Sequence, residues 1–135
     1  MDARTVLIVE NDHDIGELLQ QILDELVIPS VLVPSERAAV RQVCENKPSL
    51  ILLDLGLPTN TRTYVMLQEL KSDPCTRHIP VIMLSGLRPE ESERIAQETG
   101  ADAFLCKPFE LEELHAKLRD FVGGTQSRRA ERSCV

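Results

Sequence analysis

Four short apolar runs in this chain each end in residues able to do chemistry. Val6–Val9 runs into Glu10-Asn11-Asp12, Leu50–Leu53 into Asp54, Val81–Leu84 into Ser85-Gly86, and Ala103–Cys106 into Lys107. Each signal is weak alone. An Asp after a strand most often caps a loop, a Ser there bonds the local backbone, and a lysine is usually solvated. As a set they describe phosphoryl transfer to a carboxylate. Asp54 attacks, a divalent cation held by oxygen ligands neutralises charge, Lys107 and Ser85 grip the phosphoryl oxygens, and Gly86 leaves room for the incoming group.

These residues can meet only if the runs bearing them are neighbouring strands of one sheet. The runs are apolar without alternation, as expected of strands covered by helices on both faces. The helices are written between them. Asp14 with Glu17 forms an acidic capping box, and Ile15, Leu18, Leu19, Ile22, Leu23 and Leu26 follow at helical spacing. Val31–Val33 is a short second strand, and Ser35 caps a helix that stops near Asn46-Lys47-Pro48. After Pro58 a polar loop, Thr59–Thr63, leads to a helix carrying Val65, Met66, Leu67 and Leu70. A fourth helix, Glu90–Thr99, lies between Pro89 and Gly100, with Ile95 and Ala96 nearly its whole apolar face. It should dock weakly and be movable. The last helix has acids early, Lys117 and Arg119 late, and Leu111, Leu114, Leu118 and Phe121 directed inward. Five strand–helix units give a doubly wound, five-stranded parallel sheet with helices on both faces. The crossover rule gathers the strand ends at the carboxyl edge, where such sheets bind ligands. We read one domain over residues 1–124, with 125–135 as a disordered tail.

Composition narrows the function. The chain has 135 residues, room for one core, and aromatics are only 3%, which disfavours a site built on stacking. The net charge is −7, and the tail from Gly123 carries three arginines against one glutamate, so the body is near −9. Such a body disfavours nucleic acid or an anionic membrane as a direct partner. Cys44, Cys75, Cys106 and Cys134 lack metal spacing, and His13, His78 and His115 share none for metal or catalysis. With no secretory signal, the expectation is reduced thiols in a cytoplasmic protein.

The set Val-Leu-Ile-Val-Glu-Asn-Asp, Leu-Leu-Asp-Leu-Gly-Leu-Pro, Pro-Val-Ile-Met-Leu-Ser-Gly, Gly-Ala-Asp-Ala-Phe and Lys-Pro-Phe resembles the receiver domain of bacterial two-component response regulators, over about Thr5 to Val122. The resemblance implies a flavodoxin-like fold and Asp54 as acceptor of a phosphoryl group from a histidine kinase or phosphotransfer protein. It implies Mg²⁺ near Glu10, Asn11, Asp54 and the Gly56 carbonyl, Ser85 and Phe104 as a switch pair, and Lys107 on the phosphate. Signalling would use the face of the fourth helix, last strand and last helix, toward a downstream protein or a phosphorylation-dependent homodimer. A cis Lys107–Pro108 bond is expected. Such a chain catalyses only its own phosphorylation and dephosphorylation. Two positions depart from the family pattern. Asn11 stands where the family usually has a second acid, so metal should bind weakly unless Asp12 substitutes. The loop after Pro58 lacks the common glycine and is one residue longer. The alternative is a pseudo-receiver, an interaction module independent of phosphorylation. A flavodoxin would need a Ser/Thr/Gly-rich phosphate loop and more aromatics, and a dehalogenase-type phosphatase would need a second Asp where Gly56 stands.

Overall fold

The structure is a computed structural model that describes residues 5–10, 12–56, 61–74 and 76–122. Strand and helix alternate through it: β1 (Val6–Val9), α1 (His13–Glu25), β2 (Ser30–Val33), α2 (Glu36–Asn46), β3 (Leu50–Gly56), α3 (Thr61–Ser72), β4 (Val81–Ser85), α4 (Pro89–Thr99), β5 (Ala103–Cys106) and α5 (Leu111–Val122). The strands form one parallel sheet in the order β2-β1-β3-β4-β5. The doubly wound architecture read from the sequence is therefore the observed one. The tail expected at 125–135 lies outside the described residues.

Strand pleating sorts the apolar runs into two cores. Leu7, Val9, Ile51, Leu53, Val81, Met83 and Phe104 face α2, α3 and α4, where they meet Ala39, Val43, Met66, Leu67, Leu70 and Ala96. The alternate residues Val6, Ile8, Leu50, Leu52, Ile82, Leu84, Ala103 and Leu105 face α1 and α5 and meet Leu19, Leu23, Leu114 and Leu118. Both faces of β1, β3 and β4 are thus buried, which is why these strands read as unbroken apolar runs. Burial at this density makes a Leu→Ala change here cost about 2–5 kcal/mol.

Several helices differ in detail from the sequence reading. α1 starts earlier than Asp14: its N-cap is Asp12, whose side chain accepts from the Asp14 and Ile15 amides at 3.0 and 3.3 Å. Its buried residues are Gly16, Leu19 and Leu23, whereas Leu18 is 56% exposed. Gly16 explains the shift, since a Cβ there would meet the Leu32 methyls at 2.7 Å. Close approach of helix and strand turns that face inward and leaves Ile15 and Leu18 at its border. α3 begins at Thr61, inside the segment read as loop, and buries Met66, Leu67 and Leu70 while Val65 stays exposed. Leu111 at the start of α5 is likewise exposed. Thr59 and Asn60, the rest of that expected loop, lie outside the described residues.

At the amino edge of the sheet, Lys71 ties three segments together. Its Nζ donates to the carbonyls of Arg77 and Ile79 at 2.9 Å and to Asp102 Oδ2 at 2.8 Å. Asp102 Oδ2 also accepts from the Val81 amide at 2.9 Å, so β4 and the approach to β5 share one anchor. This sets the register that brings the opposite ends of β3, β4 and β5 together. α4 ends at Gly100, whose φ of +90° is a left-handed conformation open to glycine.

Candidate functional site

The carboxyl edge of the sheet holds the residues singled out by chemistry. Glu10 follows β1, Asp54 lies in β3, Ser85 ends β4, and Lys107 follows β5. Parallel pairing places these ends side by side, and one irregularity shapes the centre. Asp54 pairs with Leu84 and Gly56 with Ser85, so β3 advances two residues for one on β4. This bulge at Leu55 redirects the strand as it leaves the sheet. Gly56, in the strand but without a side chain, is its sequence signal.

Lys107 Nζ lies 2.7 Å from Asp54 Oδ2, an ion pair in which the Asp54 side chain is only 5% exposed and that of Lys107 35%. The pair spans 53 residues of sequence and orients the carboxylate. The backbone at Lys107 has two specific features. Its amide donates to the Ser85 carbonyl at 2.7 Å, and the Lys107–Pro108 peptide is cis, as expected from the sequence.

Glu10 is the second acid of the site, buried beside Asp54. Burial pushes its carboxyl up to about 7; contact with Asp54 adds to the rise, while the Asp12 amide and Lys107 oppose it. Its Oε2 accepts from the Asp12 amide at 3.0 Å, and its Oε1 is buried with no hydrogen-bond partner among the described residues. A proton shared with Asp54, or a cation, would satisfy that oxygen. An orphaned carboxylate oxygen beside a second carboxylate is an all-oxygen, anionic donor set, which fits a hard divalent cation such as Mg²⁺. Among the described residues no three His, Cys, Asp or Glu side chains converge on a metal position. Asn11 lies outside the described residues. Asp12 spends its side chain on the α1 cap and is exposed, so the structure gives it a helix to hold.

Gly86 borders open space, since a Cβ there would meet nothing within 4 Å. Ser85 is fully buried, and its hydroxyl is turned toward α4: Oγ lies 2.8 Å from Ser92 Oγ and accepts from the Leu87 amide at 3.0 Å. Phe104 is 2% exposed and packed into the core between the sheet and α2–α4. The structure thus brings Glu10, Asp54 and Lys107 together, while the Ser85 hydroxyl is engaged with Ser92 and the Leu87 amide and Phe104 is packed in the core. Ser92 was missed by the sequence reading. Its signal was spacing: Ser92, Ala96 and Thr99 form the one buried row of α4.

Among the described residues no helix is long and apolar enough to cross a membrane. Compared with known proteins, residues 6–119 match the family model described as the response regulator receiver domain. The phosphate regulon transcriptional regulatory protein PhoB of Escherichia coli (strain K12) is 38% identical over 118 residues, which is 87% of this chain and 51% of that protein. The chain spans about half the length of the curated relatives it matches. Among solved structures, the signal receiver domain of a signal transduction histidine kinase from Syntrophus aciditrophicus is 30% identical with a TM-score of 0.78, covering 98% of this chain and 100% of that one. The receiver domain of sensor histidine kinase PA1611 from Pseudomonas aeruginosa PAO1, solved with a magnesium ion coordinated in its active site cleft, has the same fold. It is 24% identical with a TM-score of 0.76, covering 91% of this chain and 100% of that one. Fold, strand-end chemistry and family match agree, and the chain belongs to the response regulator receiver domain family.

Proposed function

We propose that this domain takes a phosphoryl group onto Asp54 from a histidine kinase or phosphotransfer protein, in a two-component system. The observation that carries this reading is the ion pair of Lys107 with a nearly buried Asp54, flanked by the unsatisfied Glu10 carboxylate. The Asp54 carboxylate attacks phosphorus, the bond from phosphorus to the donor's imidazole nitrogen breaks, and the imidazole leaves with that electron pair. Lys107, already fixed on one carboxylate oxygen, orients the nucleophile and then holds a phosphoryl oxygen. Bound Mg²⁺ would neutralise charge on the transferring group, held by Glu10, Asp54, Asn11 and the Gly56 carbonyl. Glu10 must lose its proton to serve. Ser85 rotates to the phosphoryl group, Phe104 fills the space behind, and the α4–β5–α5 face carries the signal to a partner protein or a second phosphorylated copy. The domain catalyses only its own phosphorylation and dephosphorylation.

Incubation with acetyl phosphate and Mg²⁺ should raise the intact mass by one phosphoryl group, labile to hydroxylamine and absent in Asp54→Asn. Unchanged labelling of that variant would remove the proposal. A second reading, an interaction module independent of phosphorylation, is favoured by the scarcity of acids. Among the described residues only Glu10 and Asp54 meet at the site, and Asn11 adds no charge. Failure of the wild type to label at saturating Mg²⁺ selects that reading.

A further inference from the structure

Resting on the phosphoacceptor reading above, we propose that Ser92 is a positioning residue that ties the first turn of α4 to the orientation of the Ser85 hydroxyl. Both serines are fully buried, and their hydroxyl oxygens lie 2.8 Å apart across the gap between β4 and α4. A helix has no intrinsic use for a buried serine, which is a modest helix former and must find a partner when enclosed. Here that partner is the strand-end hydroxyl of the site.

α4 has little else to hold it at that end. Its buried row is Ser92, Ala96 and Thr99, with Ile95 half-buried beside them. Its N-cap, Arg88, makes no side-chain cap hydrogen bond. The last turns are better secured: Tyr64 of α3 donates its hydroxyl to Glu98 Oε1 at 2.7 Å, and Ala96 is buried in the core between the helix and the sheet. Apolar packing and Tyr64 hold the distal half of α4, and the serine pair holds the proximal half.

The Ser85 backbone is fixed, because its carbonyl accepts from the Lys107 amide at 2.7 Å. Only the side chain is left to turn. Rotation of Oγ from α4 toward a phosphoryl group on Asp54 breaks the 2.8 Å contact, whichever serine donates in it. The Ser92 hydroxyl is then buried without its partner, a state that favours displacement of the first turn of α4 toward water. The phosphoryl group therefore competes with Ser92 for one hydroxyl, and the loser moves.

Competition has a sign that a purely structural role lacks. Ser92→Ala removes the competitor, weakening only the unmodified state, so the variant should bind beryllofluoride with Mg²⁺ about five-fold more tightly than the wild type. Amide exchange at residues 90–93 should already be fast in the free variant, and its change on adding beryllofluoride should shrink. Denaturant unfolding of both proteins confirms that the variant is folded. Equal or weaker beryllofluoride binding by a folded Ser92→Ala, with binding by the wild type intact, overturns this inference alone. No binding by either protein overturns the phosphoacceptor reading as well.

Discussion

Replacement of Lys107 by Met tests whether the site is an electrostatic balance of two carboxylates against one cation. At 2.7 Å and an effective dielectric constant of about 20, the attraction to Asp54 is about 6 kcal/mol gross. Lys107 is one-third exposed and regains solvation when the pair is broken, so most of that is returned. Asp54 is not so compensated, being nearly buried beside a second acid. We expect a net loss of about 2 kcal/mol at pH 8 without metal, or about 5–10 °C in Tm. The loss should depend on pH through Glu10. Its carboxyl is raised from 4.5 to about 7 in the folded chain, so its contribution to stability is full below pH 4.5 and lost as pH rises through about 7. Lys107 is one of the groups holding that carboxyl down, and without it the window extends upward. The deficit of Lys107→Met should therefore be smaller at pH 5.5, where Glu10 keeps its proton in both proteins, than at pH 8. Urea unfolding in a chelating buffer at the two pH values measures it. An equal deficit at both, or a variant as stable as the wild type at pH 8, would refute the balance.

Three further outcomes follow from the geometry. Lys71→Met should cost about 3 kcal/mol by urea unfolding, because one nearly buried ammonium serves two carbonyls and Asp102. Glu10→Gln should stabilise the metal-free protein at pH 8 yet weaken Mg²⁺ binding in a titration, whereas Asn11→Asp should tighten it. The aspartyl phosphate should be long-lived, because Gly56 and the half-buried Leu87 offer no side-chain oxygen or nitrogen to position a hydrolytic water. A Gly56→Asn, Leu87→Glu double variant should lose its label about ten- to a thousand-fold faster, and equal decay would place water positioning elsewhere.

The sheet was legible because its strands are buried on both faces, which leaves unbroken apolar runs with polar residues only at their ends. That is also why Glu10, Asp54, Ser85 and Lys107 stood out before any geometry was known. What escaped depended on distances between elements. Asp12 rather than Asp14 caps α1, because both are suitable N-cap residues at the start of the apolar pattern and the pattern does not rank them. Leu18 reads as core by period but is displaced by the contact of Gly16 with Leu32. Leu111 and Val65 fit their helical stripes yet sit at the margin. The bulge between Asp54 and Gly56 needs the partner strand to define it, and the pairing of Ser85 with Ser92 needs α4 docked on β4.

The phosphoacceptor role rests on which atom receives the phosphoryl group. After labelling with acetyl phosphate in saturating Mg²⁺, reduction with borodeuteride converts an aspartyl phosphate to deuterated homoserine and marks the acceptor permanently. Peptide mass spectrometry should find homoserine at position 54, in proportion to the label, with Glu10 and Asp12 unmodified. Reduction product at Glu10, Asp12 or any other carboxylate in place of Asp54, or label with no reducible acyl phosphate, would contradict it.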